Sequence, residues 1–293
     1  MTVMEWNDRL NLGVEALDSA HRKLFSIMRR MAKLHENPDN YKLLCEEGIK
    51  YFKNYTLQHF SEEEAYMRSI GYARYEIHKQ LHDNLRDNTL PVLEKEVLET
   101  DYSVESVQHS MGICMAWLTQ HIMNEDRAIT GSVPATGPQL SSRPEDEIAA
   151  LMHAASQIIH TTLGLEAETA STHYHGEPVG NMVFCRLIYQ SEKGKPIRAY
   201  LGFEDSLILA AVSEMMGTRV PKVNKMALSC MRHLAQSVMS KLAQHFAYAD
   251  SCRLQKENMI TAEIAMKLFQ NESPLASFLY RTKEGYLVFC VQA

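Results

Sequence analysis

Five histidines and two carboxylates in the first half of the chain recur at spacings that limit what the chain can fold into: His21, His59, Glu63, His78, His82, His121 and Asp126. His59 and Glu63 are four residues apart, as are His78 and His82. On an α-helix that separation stacks two side chains on one face, a turn apart, near enough to share a metal ion. Several helices that each turn such groups inward build a metal box inside a bundle. Imidazole and carboxylate suit iron, manganese and zinc alike, so donor type leaves the metal open. Donor number says more: seven exceed what one tetrahedral zinc uses and suit two ions bridged by the carboxylates. A bridging carboxylate offsets charge that a dry core could not otherwise tolerate. A single histidine–glutamate pair at this spacing is more often a solvated helix face, so the weight lies on the set. One interval fits less well. His121 and Asp126 are five apart, which on an ideal helix turns the second away from the first; a loosened turn or frayed end there would reunite them.

The surrounding pattern is helical. Asp18 is placed to cap a helix carrying Leu24, Phe25, Ile27, Met28 and Met31. Tyr41 to Arg68 reads as a second helix, punctuated by Gly71, and Arg74 to about Val97 as a third, with Pro91 marking a kink or break. Val104 to about Ile129 gives a fourth. Short connections between four helices predict an antiparallel bundle.

Composition changes at Gly131–Asp146, GSVPATGPQLSSRPED, which reads as a linker between a domain at 1–130 and another at 147–293. Beyond it, 147–165 is helical, and Met182–Gln190 with Ile197–Phe203 reads as a hairpin turned at SEKGKP. Ser206–Met216 is a helix ended by Gly217, Asn224 to about Ala247 a longer one, and Ser277–Arg281 with Tyr286–Val291 a second hairpin. This half is therefore α+β.

A hydrophobic share of 45% with 23% charged residues is that of a globular chain. The net charge of −6 argues against nucleic acid as a partner. Six scattered cysteines without a C-x-x-C pair point to a reducing compartment. The start, MTVMEWNDRL, lacks the basic and apolar regions of a signal peptide, and no apolar run approaches the roughly 20 residues that span a bilayer. A cytoplasmic protein, away from membranes, is expected.

The stretches WNDRLNLGVEALDSAHRKLF (Trp6–Phe25), HFSEEEAYM (His59–Met67), GYARYEIHKQLH (Gly71–His82) and WLTQHIMNED (Trp117–Asp126) resemble the hemerythrins in their bacterial form. The resemblance covers the first ~130 residues and implies a four-helix bundle with a non-heme di-iron centre. Glu63 and Asp126 would bridge the irons together with an oxo or hydroxo group from solvent. His78, His82 and His121 would complete one iron, and His21 and His59 the other, leaving that one a position short for reversible O2 binding. Trp6, Phe25, Phe60 and Trp117 are expected to pack around the site.

By order and texture, 147–293 resembles the CheX/CheC/FliY chemotaxis phosphatase domains, FEDSLILAAVSEMMGT (Phe203–Thr218) standing where that family has a helix closing with Met-Gly. Active members carry Glu-x-x-Asn on the following long helix. That motif is absent from this chain, and the aligned positions are Cys230 and His233. Cys230 is expected to be a buried apolar residue and His233 an exposed helix histidine, so binding or dimerisation is favoured over phosphatase activity. Together the resemblances imply an oxygen or redox sensor whose di-iron domain modulates a CheX-like domain in chemotaxis or related signalling. The implied partners are O2, a response regulator or other chemotaxis protein, and a second copy through the C-terminal domain. An O2 carrier, store or scavenger with a merely dimerising C-terminal domain is the other reading. A peroxide- or nitric-oxide-reducing enzyme is disfavoured, because a seven-donor shell leaves little open coordination and no separate proton donor.

Overall fold

A computed structural model describes residues 10–34, 38–131, 144–191, 196–243, 252–271 and 274–292. These form two compact units. The first holds the N-terminal helices, with 213–219 and 224–230 counted to it, and the second holds the sheet.

Helix α1 (Glu15–Ala32) buries Leu17, His21, Leu24, Phe25, Met28 and Met31, the stripe of a helix with one face in a core. Asp18 does not cap it. The N-cap is Val14, and Asp18 lies within the first turn, where its carboxylate accepts from the backbone N–H of Leu12 (2.7 Å) and Gly13 (3.1 Å). A carboxylate near a helix start can reach back to order the incoming loop as well as cap the helix. Helix α2 (Tyr41–Ser69) ends as the glycine foretold: Gly71 takes φ +65°, Tyr72 N–H bonds Met67 C=O (3.0 Å) and Gly71 N–H bonds Arg68 C=O (3.2 Å). This is a Schellman closure, for which a residue without Cβ is preferred.

Of the kink or break expected in the third arm, there is no break: the arm is continuous through a change of helix type. Helix α3 (Tyr75–Asn84) passes through a π-helical stretch, Leu85–Thr89, into α4 (Leu90–Glu99). Pro91 stands in the first turn of α4, and the wider turn just before it absorbs the hydrogen bond that proline cannot make. The fourth arm, α5 (Val104–Gln120), is capped by Ser103, whose Oγ accepts from Ser106 N–H at 3.2 Å. It too widens into a π stretch, His121–Asp126, before the short α6 (Arg127–Ile129). Contacts of α1 with α2 and α5, of α2 with α3, and of α4 with α5 close the four arms into a ring. Among the described residues no helix is long and apolar enough to cross a membrane.

Of the stretch read as a linker, 132–143 lies outside the described residues, and α7 (Pro144–Leu163) begins inside it. Six strands follow, β1 (Glu168–Ser171), β2 (Met182–Ser191), β3 (Ile197–Glu204), β4 (Cys252–Thr261), β5 (Ala276–Arg281) and β6 (Tyr286–Gln292). They form one antiparallel sheet in the order β1-β5-β6-β3-β2-β4. Both expected hairpins are present; most of the first one's turn, 192–195, lies outside the described residues. Helices α8 (Asp205–Met216) and α9 (Lys225–Ala243) match the reading, with Asn224 Oδ1 accepting from Ala227 N–H (2.9 Å); 244–250 lie outside the described residues. Strands β1 and β4 and helix α10 (Ala262–Asn271) were not foreseen.

Register explains why the strands read as nearly continuous apolar runs. Cys185, Leu201, Phe289 and Phe278 lie in one cross-strand row, Phe184, Gly202, Val288 and Leu279 in the next, and the side chains of both rows are buried. Alternate rows point to opposite faces, so both faces are covered. The Phe269 ring of α10 meets those of Phe184 and Tyr200 edge-on at 5.7 and 5.1 Å. Phe184 lies directly over Gly202, where a Cβ would meet ring carbon Cε1 at 2.4 Å. Gly202→Ala is therefore expected to lower the thermal midpoint of the sheet unit by the equivalent of about 1–3 kcal/mol, as overpacking does. Calorimetry of the full chain measures this, with the helical unit's transition unmoved.

Candidate metal centre

All seven donors read from the sequence converge in the bundle, and all are buried. His21 comes from α1, His59 and Glu63 from α2, His78 and His82 from α3, and His121 and Asp126 from the π stretch after α5. The awkward five-residue interval is thus resolved by a local change of helix type. A π turn returns to the same face after about five residues, which aims Asp126 where His121 points.

The donors divide into two overlapping groups. Ligand atoms of Glu63, His78, His82 and His121 lie within 4.8 Å of one another, and so do those of His21, His59 and Glu63. Glu63 belongs to both: Oε2 is 3.2 Å from His59 Nε2, and Oε1 is 3.1 Å from His78 Nε2. Asp126 spans the same gap, with Oδ2 3.3 Å from His21 Nε2 and Oδ1 3.1 Å from His121 Nε2. Across each group two imidazoles meet nitrogen to nitrogen, His21 to His59 at 3.0 Å and His82 to His121 at 2.9 Å. Yet neither oxygen of Glu63 or Asp126 makes a hydrogen bond, nor does His78 Nε2. Buried polar atoms left without partners cost about 1–3 kcal/mol each, more when charged. Lone pairs that crowd together and satisfy one another poorly fit cations held between them.

Electrostatics agrees. Burial and the Asp126 charge push the Glu63 carboxyl up, but the His59 and His78 imidazoles prevail and hold it at about 2. Asp126 is likewise drawn well below the usual carboxylate range, against burial, by His121 and His21. His82 is pushed down to about 2 by burial and by His121, which keeps its imidazole neutral, the form that ligates metals. Its far nitrogen, Nδ1, lies 3.1 Å from Glu64 Oε1, leaving Nε2 to face the cluster. Phe60 stacks on the His82 ring (centroids 3.9 Å, 7° between planes), and Trp117 on His121 (4.4 Å, 14°). Phe25 is buried, as expected, and Trp6 lies outside the described residues. Glu64 was missed in the sequence; its signal was its place beside Glu63, three residues after Ser61 on a face otherwise read as solvated.

The positions on α9 are distinct from this cluster. Cys230 is fully buried, its thiol pushed up to about 12 by burial, in line with an apolar role. His233 departs from expectation: it is half-buried, and burial together with Arg232 lowers it to about 4, so it is neutral at ordinary pH.

Residues 12–131 match the family model of the hemerythrin HHE cation-binding domain. A bacteriohemerythrin of Clostridium acetobutylicum is 33% identical over 126 residues, covering 42% of this chain and 95% of that protein. One from Pseudomonas aeruginosa is 26% identical over 153 residues, covering 50% of this chain and 90% of that protein. Among solved structures, the chemotaxis protein CheX of Vibrio vulnificus superposes with a TM-score of 0.38 at 11% identity, covering 52% of this chain and all of that one.

Removing the Glu64 carboxylate frees the His82 ring to turn and to exchange tautomers. Glu64→Ala is expected to weaken metal retention by about 10–100-fold with the helical circular dichroism unchanged, and Glu64→Gln to restore part of it. Competition against a chromophoric chelator reads the difference.

Proposed function

The chain belongs to the hemerythrin family through residues 12–131, and from that premise we propose that it is an oxygen or redox sensor built on a pair of irons. Family membership implies non-heme iron. Glu63 and Asp126 would hold the two ions, together with His78, His82 and His121 on one side and His21 and His59 on the other. The observation that carries this reading is that each buried carboxylate reaches both imidazole groups while making no hydrogen bond of its own. When bound, the irons supply reversible O2 binding. The chain's own residues do the rest. Burial of all seven donors excludes water, Glu64 holds the His82 tautomer, and Phe60 and Trp117 pin the rings they stack on.

The α+β unit is the proposed output, acting on a response regulator or another chemotaxis protein, or through a second copy of the chain, in the cytoplasm. What supports an output is the presence in the same chain of a second folded unit, with its own sheet and core, distinct from the bundle that holds the site. Signalling requires that one output state be favoured by the oxygenated bundle; a tenfold shift needs about 1.4 kcal/mol of differential binding.

Anaerobically loaded full chain is expected to hold two irons, and Glu63→Ala or Asp126→Ala to lose at least one of them. Air should raise a visible absorption band that disappears on deoxygenation. A single zinc, or no metal, in carefully loaded protein would overturn the site. For the sensor, sedimentation of the full chain, alone and with a response regulator, should differ between oxygenated and deoxygenated samples. An identical profile would leave the O2 carrier or store as the function.

A further inference from the structure

The bundle carries a second feature, open to solvent on one side, whose position follows from helix arithmetic. A cavity of about 50 Å³ is bordered by Met28 on α1, Phe52 on α2 and Cys114 on α5. Each of these stands seven residues from a donor on its own helix: Met28 from His21, Phe52 from His59, Cys114 from His121. Seven residues are nearly two full turns, so cavity and metal cluster share the same inner faces, about 10 Å apart along the bundle axis. Leu93 and Val97 of α4 close the remaining wall.

The lining is almost wholly hydrocarbon and sulfur. Lys53 and Glu94 contribute their stems at the solvent side, where their side chains are 35% and 40% exposed and Nζ meets Oε2 at 2.6 Å. One polar atom inside has no hydrogen-bond partner, the buried Ser110 hydroxyl. Size and polarity decide what fits. A water could be accommodated by volume, but it needs two to four polar partners, and a lone hydroxyl beside a thiol does not provide them. Apolar cavities about three times larger stay dry and take up benzene or xenon.

We infer that this cavity is a binding site for a single neutral, apolar molecule of gas size, the class to which dioxygen belongs, about 10 Å from the metal cluster on the bundle axis. It is set apart from the metal site by both position and chemistry, since none of the seven donors lines it and its one charged pair lies at the solvent side. The Lys53–Glu94 ion pair stands over its solvent side.

Xenon is the probe. In xenon-pressurised crystals of the full chain, one xenon is expected between Met28, Val97 and Cys114, with matching 129Xe chemical-shift exchange in solution. Val97→Phe, which fills the space, should abolish both; where that variant fails to fold, Cys114→Leu takes its place. Ser110→Ala should retain the xenon. Three results would overturn the inference: no xenon at this place in the unsubstituted chain, xenon appearing only once Ser110 is replaced, or xenon persisting in a folded filled variant. Because none of these readings uses iron, failure here is separable from failure of the proposed metal site.

Discussion

Two carboxylates shared between two sets of imidazoles, in a fully buried core, set the terms for the rest of the bundle. Glu63 and Asp126 are fully buried, and an ion in such a place carries a penalty of several kcal/mol unless compensated. The compensation available comes from five imidazoles carried on all four arms. No arm can rotate about its axis or slide by a residue without withdrawing a donor. The phase and stagger of the helices are thereby tied to one cluster, and the apolar stripes extend a packing that this cluster has already registered.

The same arithmetic divides the interior by chemistry along its length. Donors occupy one level; two turns further along, the same faces carry Met28, Phe52 and Cys114. A bundle that must hold charged groups at one level and exclude polar ones at another does so most simply by alternating residue character down each inner stripe. In the stacked pairs Phe60–His82 and Trp117–His121, aromatic faces meet the ligand rings.

Much of this was legible in the residues. The donors, the four arms and both hairpins were readable because each rests on a period or a punctuation mark: four-residue spacings, Gly71, Gly217, and apolar runs bounded by turns. Asp126 was readable with its difficulty attached, since a five-residue interval requires either a π turn or a frayed end, and only coordinates decide between them. What escaped was structure whose cause lies elsewhere in the fold. Strand β4, RLQKENMIT after Cys252, is polar and largely exposed along its first half, as edge strands are, and carries no alternation to read. Strand β1 is four exposed or half-exposed residues held by pairing with β5. Pro91 was read as a kink or break because the wider turn that accommodates it has no signature of its own in sequence. His233 was read as exposed because its burial comes from packing that its own helix does not reveal.

The π stretch at His121–Asp126 carries an implication of its own. Such turns are rare, arise mostly as single-turn insertions inside α-helices at functional sites, and call for a local support. Here the support is the convergence of its first and last residues on the shared cluster. A cation held among those donors would also hold the closing segment of the fourth arm, which runs on through Arg127–Ile129. The shape of that segment and the filling of the centre would then be linked through the same two side chains.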